Sequence, residues 1–192
     1  MWIALTHRSS SRLAAAVDHL ASQDFTYPEV GATKDPGSLP PGYLHDCRSI
    51  RLGNDRRAYD QGKDALIGWE AHLAIGARLI PEKPPLRPGQ VVIVTIPVGP
   101  LKMFVPCRIV YVTNEERRFG FAYGTLPGHA ERGEESFHIV EGPSGEVRFE
   151  IAAFSRPDGL LVRLGNPVVR RVQVRATGMY LEGVRRYVEE HR

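Results

Sequence analysis

Cysteine is scarce in this chain of 192 residues, which contains only Cys47 and Cys107. Two cysteines supply neither a disulfide framework nor a cysteine-rich metal site. Both lie in apolar segments of strand type, where a free thiol behaves as a small hydrophobic side chain. We therefore predict a reduced, intracellular context, a fold that is stable without disulfides, and no metal or other cofactor.

Long hydrophobic runs and a strong excess of one charge are also missing. The best apolar run, Val91–Val98, has the length of a strand and contains Pro97, so no membrane-spanning helix is predicted. The N-terminus lacks the apolar segment of a secretory signal. A formal charge of +3 is far less than nucleic-acid readers concentrate. We expect a soluble, cytoplasmic protein that binds neither nucleic acid nor membrane.

The composition that is present is that of an ordinary folded protein, with 42% hydrophobic and 24% charged residues. Leu13, Val17 and Leu20 recur at helical spacing after three serines and predict a short N-terminal helix. A segment rich in proline and glycine follows, from Phe25 to Pro41, and favours irregular structure. We predict a helical appendage over residues 1–25 and a single α+β domain over residues 26–192.

The spacing of apolar residues changes along the predicted domain. Tyr43–Leu52 reads as a first strand, and Asp55–Ile80 as a helical region that two glycines divide into two short helices. From Val91 to Phe154 apolar residues recur at every second position, which predicts strands joined by tight turns and therefore antiparallel. Within this run the odd positions from Leu101 to Tyr111 predict one unbroken apolar face.

A long helix is predicted to begin at Pro167, because the missing N–H of proline costs nothing at the first helical position. An apolar stripe runs along it: Val168, Val169, Val172, Ala176, Met179, Tyr180, Val184, Tyr187 and Val188. We predict an α+β fold in which a curved antiparallel sheet of about six to seven strands wraps around this helix. The order of elements resembles the helix-grip architecture of the START and polyketide-cyclase-like superfamily, which implies a cavity between sheet and helix.

The most unusual stretch is Gly120–Glu135, which combines a strand with a turn that contains glycine, proline, histidine and acids. His129 with Glu134 or Glu135 could form an imidazole–carboxylate pair that acts as a general base. The alternative is that the acids are surface charges and that His129 fixes the turn. Glu134 and Glu135 cannot both face inward, because adjacent strand residues point to opposite faces.

Aromatic residues at strand and helix spacing could line an apolar pocket, or could simply be core. Tyr27 could close one end of a cavity or anchor its loop onto the core. Arg156 could meet an acidic ligand or form a structural ion pair. The candidate ligand-binding residues are Tyr27, Trp69, Tyr123, His129, Arg156 and Tyr180, and His129 and Glu135 are the weak catalytic candidates.

Several of these segments carry a resemblance to a family. The sequence resembles the bacterial and plant family known as domain of unknown function 1990, from about Phe25 to the C-terminus. The resemblance rests on Tyr27–Thr33, Trp69, Pro88-Gly89, Gly120–Glu135, Ser155-Arg156-Pro157, Gln173 and Tyr180. It implies a single domain and no particular activity.

Three functional hypotheses remain open from the sequence. The first is a binding module that holds a small apolar or amphipathic molecule between sheet and C-terminal helix. The second is an enzyme of cyclase, hydratase or hydrolase type that uses a His–Glu pair in the 126–135 loop. The third is a structural or interaction protein without a ligand, whose partner the sequence does not identify.

Overall fold

A computed structural model describes residues 2–4, 10–98, 101–158 and 166–192, with side chains for residues 15–97, 102–158 and 176–192. The elements in chain order are β1 (Trp2–Ala4), α1 (Ser10–Ala21), β2 (Leu44–Gly53), α2 (Arg56–Ile67), α3 (Glu70–Ala74), β3 (Arg78–Ile80), β4 (Val91–Val98), β5 (Leu101–Asn114), β6 (Arg118–Thr125), β7 (Glu131–Glu141), β8 (Val147–Pro157) and α4 (Asn166–Glu190).

The described strands form one antiparallel sheet in the order β2-β8-β7-β6-β5-β4-β3, with β1 paired to β5. The predicted α+β class, with an antiparallel sheet and a long C-terminal helix, is confirmed. Strand β1 was not predicted, and Arg78–Ile80, which was assigned to the predicted helical region Asp55–Ile80, is strand β3 instead. Each has three residues, which is too short for an alternating pattern to show.

The inner face of the sheet, defined as the face that contacts α4, carries apolar side chains from five strands: Val94, Ile109, Phe121, Phe137, Phe149 and Ile151. From α4, Val184 and Val188 are fully buried against them. Burial of a side chain of this size stabilises the fold by roughly 1.5–3 kcal/mol. The predicted packing of the C-terminal helix against the sheet is therefore present.

The predicted stripe of α4 is only partly described. Met179 was predicted to belong to it but is 38% exposed, because it lies at the edge of the buried face. Val168, Val169 and Val172 lie outside the residues whose side chains the structure describes.

Strand β5 contains a β-bulge that changes which side chains face inward. Ile109 pairs with Tyr123, but the register shifts by one residue before Tyr111. An extra residue in one strand reverses the alternation beyond it. Tyr111 consequently lies on the outer face, where its hydroxyl is 3.0 Å from Thr33 Oγ1. The prediction of one unbroken apolar face through Tyr111 was therefore wrong.

The outer face of the sheet is covered by the N-terminal part of the chain. Ala16, Val17 and Leu20 of α1 pack with outer residues of β4 in a second apolar cluster. The segment rich in proline and glycine contains two short 3₁₀ turns, Ala32–Lys34 and Pro36–Ser38. This segment has irregular structure, as predicted.

Helices α2 and α3 meet at a corner formed by Trp69. The Asp55 carboxylate caps α2 by accepting from the Ala58 N–H at 2.8 Å. Trp69 then takes a left-handed conformation, with φ of 60°, which is unfavourable for a residue with a side chain. Its indole is fully buried, and its Nε1–H donates to Pro84 O at 3.0 Å. Burial of the indole compensates for the strained turn that redirects the chain into α3.

Candidate functional site

Glu134 and Glu135 are neighbours on β7, and their side chains point to opposite faces of the sheet. Glu135 lies on the inner face, where it contacts Tyr123. Glu134 lies on the outer face, where it contacts Tyr27 and Thr33. The two carboxylates therefore belong to two separate polar clusters, which we call the inner cluster (His72, Tyr123, Glu135 and Tyr180) and the outer cluster (Tyr27, Gly31, Thr33, Tyr111 and Glu134).

The inner cluster is a short chain of hydrogen bonds. The Tyr123 hydroxyl donates to Glu135 Oε2 at 2.8 Å. His72 Nε2 lies 3.1 Å from the same hydroxyl. Because that hydroxyl has given its proton to Glu135, the proton on this second bond comes from His72 Nε2. The Tyr180 ring completes the cluster, with its centroid 5.1 Å from that of His72.

His72 contributes a buried polar atom that has no hydrogen-bond partner among the described residues. Its side chain is 1% exposed, and Nδ1 makes no hydrogen bond within the described part of the chain. Burial lowers the pKa of His72 to about 3, so the ring is neutral and Nδ1 carries a lone pair. A buried acceptor without a donor costs about 1–3 kcal/mol. The inner face therefore carries a cost that an apolar side chain would avoid.

Glu135 is held near the midpoint of its titration at neutral pH. Burial raises the pKa of its carboxyl to about 7, the hydrogen bond from Tyr123 opposes the rise, and the charges of Asp46 and Glu131 add to it. The residue nevertheless keeps some exposure to solvent. Glu135 can therefore exchange protons with solvent or with a bound molecule, and it can donate or accept a hydrogen bond.

A polar rim borders the cluster at β2. Asp46 accepts from Arg48 Nε at 2.7 Å and from the Thr177 hydroxyl at 3.1 Å. The second contact ties α4 to the strand at the edge of the sheet. Arg48 keeps about a third of its side chain exposed, at 34%. The rim thus adds a cation and a carboxylate close to Glu135.

The inner face behind the cluster is filled by side chains. Trp69 packs against Phe121 with ring centroids 4.9 Å apart, and Phe137 packs against Phe121 at 5.3 Å. All three rings are fully buried, as is Phe149. A molecule held on this face would therefore contact the exposed side of the inner cluster, around Glu135, and not the interior behind it.

The outer cluster surrounds a carboxylate that is fully supplied with donors. Glu134 is 3% exposed. Its Oε2 accepts from the Tyr27 hydroxyl and from the Gly31 N–H, both at 2.7 Å. Its Oε1 accepts from the Thr33 N–H at 3.0 Å and from the Thr33 hydroxyl at 2.5 Å. Four donors to one buried carboxylate lock the 27–33 segment onto the sheet.

Gly124 leaves space for the Tyr27 ring of the outer cluster. A Cβ at residue 124 would collide with the Tyr27 hydroxyl and would lie 2.8 Å from Tyr27 Cζ. Only glycine lets the tyrosine ring lie directly on β6. Two segments that carry the family resemblance, Tyr27–Thr33 and Gly120–Glu135, therefore meet at the outer cluster.

The structure distributes the predicted site residues over both faces of the sheet. Tyr123, Glu135 and Tyr180 come together on the inner face, with Trp69 in the core behind them. Tyr27 lies on the outer face. Arg156 also lies there, with its guanidinium 4.7 Å from the Tyr43 ring centroid. Neither of these two residues can touch a ligand held between the sheet and α4.

His129 has a local partner in its own turn. Its Nδ1 accepts from the Glu131 N–H at 2.8 Å, and burial lowers its pKa to about 4. The contact of Glu135 is with Tyr123. The structure therefore does not bring the predicted His129–Glu135 pair together. The imidazole of the inner cluster is that of His72, which the sequence did not single out.

No helix in the described part of the chain is both long and apolar enough to cross a membrane.

Comparison with known protein families identifies the family of this chain. The profile described as domain of unknown function (DUF1990) matches residues 26–183. The chain belongs to the DUF1990 family. A UPF0548 protein of Deinococcus radiodurans is 31% identical over 180 residues, which cover 88% of this chain and 90% of that protein. The UPF0548 protein At2g17695 of Arabidopsis thaliana is 31% identical over 135 residues, which cover 67% of this chain and 65% of that protein.

Solved structures with very different sequences share the architecture. A hypothetical protein from Helicobacter pylori superposes with a TM-score of 0.58 at 8% identity, covering 86% of this chain and 96% of that one. Ara h 8.0201 gives 0.51 at 14% identity, with coverage of 78% and 99%. A norcoclaurine synthase from Thalictrum flavum, solved with a transition-state analogue, gives 0.52 at 13% identity, with coverage of 80% and 99%. This DUF1990 chain therefore has a helix-grip fold.

Proposed function

We propose that this DUF1990 protein binds a small, largely apolar molecule with one hydrogen-bonding group, at the exposed side of the inner cluster. The observation that carries the proposal is the chain of polar groups from His72 through Tyr123 to Glu135 within an aromatic interior. It leaves His72 Nδ1 without a partner in the described part of the chain. Buried polar groups that destabilise a core in this way are typical of functional sites.

The surroundings define the chemistry of the ligand. The Tyr180 ring, which packs against Phe137 with centroids 5.7 Å apart, offers apolar contact. Glu135 and the Tyr180 hydroxyl supply the polar contacts, and the mixed protonation of Glu135 near neutral pH suits a hydroxyl or a carbonyl group equally. Because the interior behind the cluster is filled, the ligand is small or leaves part of itself in solvent.

The comparisons support the proposal by analogy of architecture. The norcoclaurine synthase with a similar fold was solved in complex with a transition-state analogue, so this architecture accommodates a small molecule in at least one protein. At 13% identity the similarity indicates a shared fold only. The proposed binding site rests on the residues of the inner cluster.

The proposal is tested with a neutral apolar fluorophore, N-phenyl-1-naphthylamine. Wild-type protein should enhance its fluorescence saturably, and Tyr180→Phe and Glu135→Gln should each weaken binding by about fivefold, as expected for the loss of one hydrogen-bond partner. Tyr43→Phe is the matched control, because its hydroxyl lies on the outer face and donates to Glu29 at 2.7 Å. Unchanged affinity in both inner variants would contradict the proposal.

Native mass spectrometry of gently purified protein provides an independent check. A co-purified small molecule that is present in the wild type and depleted in Glu135→Gln supports the inner cluster as its site. A molecule that remains equally abundant in Glu135→Gln is bound elsewhere and counts against this site.

A second candidate function is acid–base catalysis at the same cluster. It is favoured by Glu135, whose carboxyl has a pKa of about 7 and accepts from the Tyr123 hydroxyl, which in turn accepts from the neutral imidazole of His72. A group with a pKa close to the working pH is well suited to proton transfer. Glu135 would take a proton from an acidic carbon or hydroxyl of the ligand, and the carboxylic acid so formed would return it.

Proton exchange is the direct assay for this second function. In D₂O, a panel of small ketones is followed by proton NMR for loss of the signal from the carbon next to the carbonyl. Catalysis predicts exchange with wild type that Glu135→Gln abolishes. Equal exchange rates in wild type, Glu135→Gln and buffer would exclude catalysis of that class on the ketones used.

A further inference from the structure

A cleft of about 1280 Å³ lies around the short edge strand β3, at the opposite edge of the sheet from β2. It is bounded by α2, α3, the 81–86 loop and the adjoining strands. This is more than the roughly 300–1,000 Å³ of a typical small-molecule site. The cleft wraps around this edge of the sheet: Ile80 and Phe104 line it on the outer face, and Leu79, Leu86, Val112 and Phe119 line it on the inner side.

The register of three strands places a row of side chains within this cleft on the outer face of the sheet. Arg78 of β3 pairs with Thr95 of β4, and Thr95 pairs with Phe104 of β5. Lys102 lies two residues from Phe104 and so shares its face. With strands about 4.8 Å apart, Arg78 and Phe104 are separated by about 10 Å at their Cα atoms. The long side chains of Arg78 and Lys102 therefore flank one apolar strip.

The cleft carries more positive than negative charge. Four cations line it, Lys63, Arg78, Lys83 and Lys102, against the acids Glu70 and Glu82. Within the described residues none of the four cations forms an ion pair. Arg78 and Lys102 are both exposed. Lys63 lies over the Phe119 ring, so Arg78 and Lys102 are the cations that border the outer-face residues Ile80 and Phe104. An apolar surface bordered by two exposed cations is complementary to an anion that carries a long apolar chain.

Thr95 adds a polar atom between these two cations. It lines the cleft, is 7% exposed, and its hydroxyl finds no partner in the described part of the chain. A buried hydroxyl without a partner costs about 1–3 kcal/mol. A rotation about the Cα–Cβ bond would turn it toward a ligand in the cleft and give it an acceptor.

We propose that this cleft is a second binding site, which takes a free fatty acid. The carboxylate lies between Arg78 and Lys102, within reach of the Thr95 hydroxyl, and the alkyl chain lies along the apolar surface beside Phe104. The site is separate from the inner cluster and does not depend on the function proposed there.

The test uses 11-(dansylamino)undecanoic acid, a fluorescent fatty acid. Wild type should bind it saturably, and the double variant Arg78→Gln/Lys102→Gln should bind about tenfold more weakly, as expected for the loss of two exposed charge contacts. Arg57→Gln/Arg117→Gln is the matched control, because it removes the same charge at residues that do not line the cleft. It should stay within about twofold of wild type.

Three further comparisons decide the chemistry. Undecanoic acid should displace the probe at a concentration about tenfold lower than undecanol does. Thr95→Val should weaken binding while raising the melting temperature of the free protein. Tyr180→Phe should leave the affinity unchanged, since it lies at the other site.

Several outcomes would overturn the proposal. These are wild-type affinity in Arg78→Gln/Lys102→Gln, equal displacement by the alcohol, and wild-type affinity in Thr95→Val. Co-sedimentation with phosphatidylglycerol vesicles in the absence of any binding of free undecanoic acid would also overturn it, because the surface would then recognise a membrane.

Discussion

Glu134 and Glu135 are adjacent on β7, but their carboxyl groups lie in opposite surroundings. Glu134 receives four hydrogen bonds from Tyr27, Gly31 and Thr33. Glu135 receives its bond from Tyr123, and burial raises its pKa to about 7. A glutamate carboxylate thus has all its hydrogen bonds on the outer face of the sheet, whereas on the inner face it is poorly stabilised as an anion.

The difference separates a structural role from a functional one. A buried carboxylate that accepts several donors fixes the groups around it and is costly to disturb. A buried carboxyl with too few hydrogen-bond donors destabilises the fold when it ionises. A ligand that supplies the missing hydrogen bonds stabilises the ionised form. The outer cluster is therefore expected to hold the fold together, and the inner cluster to act on a ligand.

The largest expected effect comes from Glu134→Gln. An amide keeps only one of the two carboxylate oxygens, so either the Tyr27 hydroxyl and the Gly31 N–H or the two donors of Thr33 face an NH₂ group and lose their acceptor. We expect a loss of about 3 kcal/mol in the free energy of unfolding, measured by urea denaturation. Glu116→Gln, at an exposed turn, is the control and should change it by less than about 0.5 kcal/mol. A loss below about 1 kcal/mol for Glu134→Gln would show that the outer cluster is not the lock we describe.

Gly124→Ala tests the same lock through packing. The new methyl group collides with the Tyr27 ring, and we expect a loss of about 2 kcal/mol in the free energy of unfolding. In a Tyr27→Phe background the hydroxyl is absent, so the additional loss should be at least about 1 kcal/mol smaller. Gly142→Ala is the control, because its methyl group would meet its nearest atom at 3.6 Å. Full additivity would place Tyr27 away from β6.

Glu135→Gln is expected to stabilise the protein, in contrast to the change at Glu134. The folded-state pKa of Glu135 is about 7 against an ordinary value of 4.5, so the folded state binds the proton more tightly. The stability gained from the protonated form is complete below about pH 4.5 and is lost as the pH rises through about 7.

The measurement is urea denaturation of wild type and Glu135→Gln across this range. At pH 8 the variant should be more stable by about 1–2 kcal/mol, because it cannot ionise. At pH 4 the two proteins should be similar. A variant that is less stable than wild type at pH 8 would mean that the Glu135 carboxylate is stabilising, as that of Glu134 is.

The smallest effect on stability is expected for Tyr123→Phe. The change removes the donor to Glu135 and the acceptor for His72, at a cost of about 1 kcal/mol in the free energy of unfolding. The hydrogen bond from Tyr123 lowers the pKa of Glu135, so its loss should raise that pKa further. Carboxyl NMR titration of the variant measures this directly, and a pKa that falls would contradict the geometry of the inner cluster.

Much of the fold could be predicted, because alternation between Val91 and Phe154 and the apolar stripe of the last helix are strong local signals. The bulge in β5 could not, since one extra residue before Tyr111 leaves the local composition unchanged while it reverses the alternation. Strand β3 consists of three residues that continue an apolar segment, and its pairing with β4 depends on distant sequence.

The candidate site could be predicted in part. Tyr123, Glu135 and Tyr180 were singled out by residue type, and they do come together. His72 was missed, because a lone histidine in a helix carries no signal until the strand register brings Tyr123 beside it. Arg156 was assigned to the ligand from its charge alone, and the face on which it lies follows only from the register of β8 with its neighbours.

Carboxyl NMR titration of wild-type protein, with Glu135 assigned by comparison with Glu135→Gln, tests the central claim most directly. The account predicts a Glu135 pKa of about 7 in the free protein and a change in that pKa when N-phenyl-1-naphthylamine binds. A Glu135 pKa at its ordinary value of 4.5 that does not respond to the fluorophore would contradict the account.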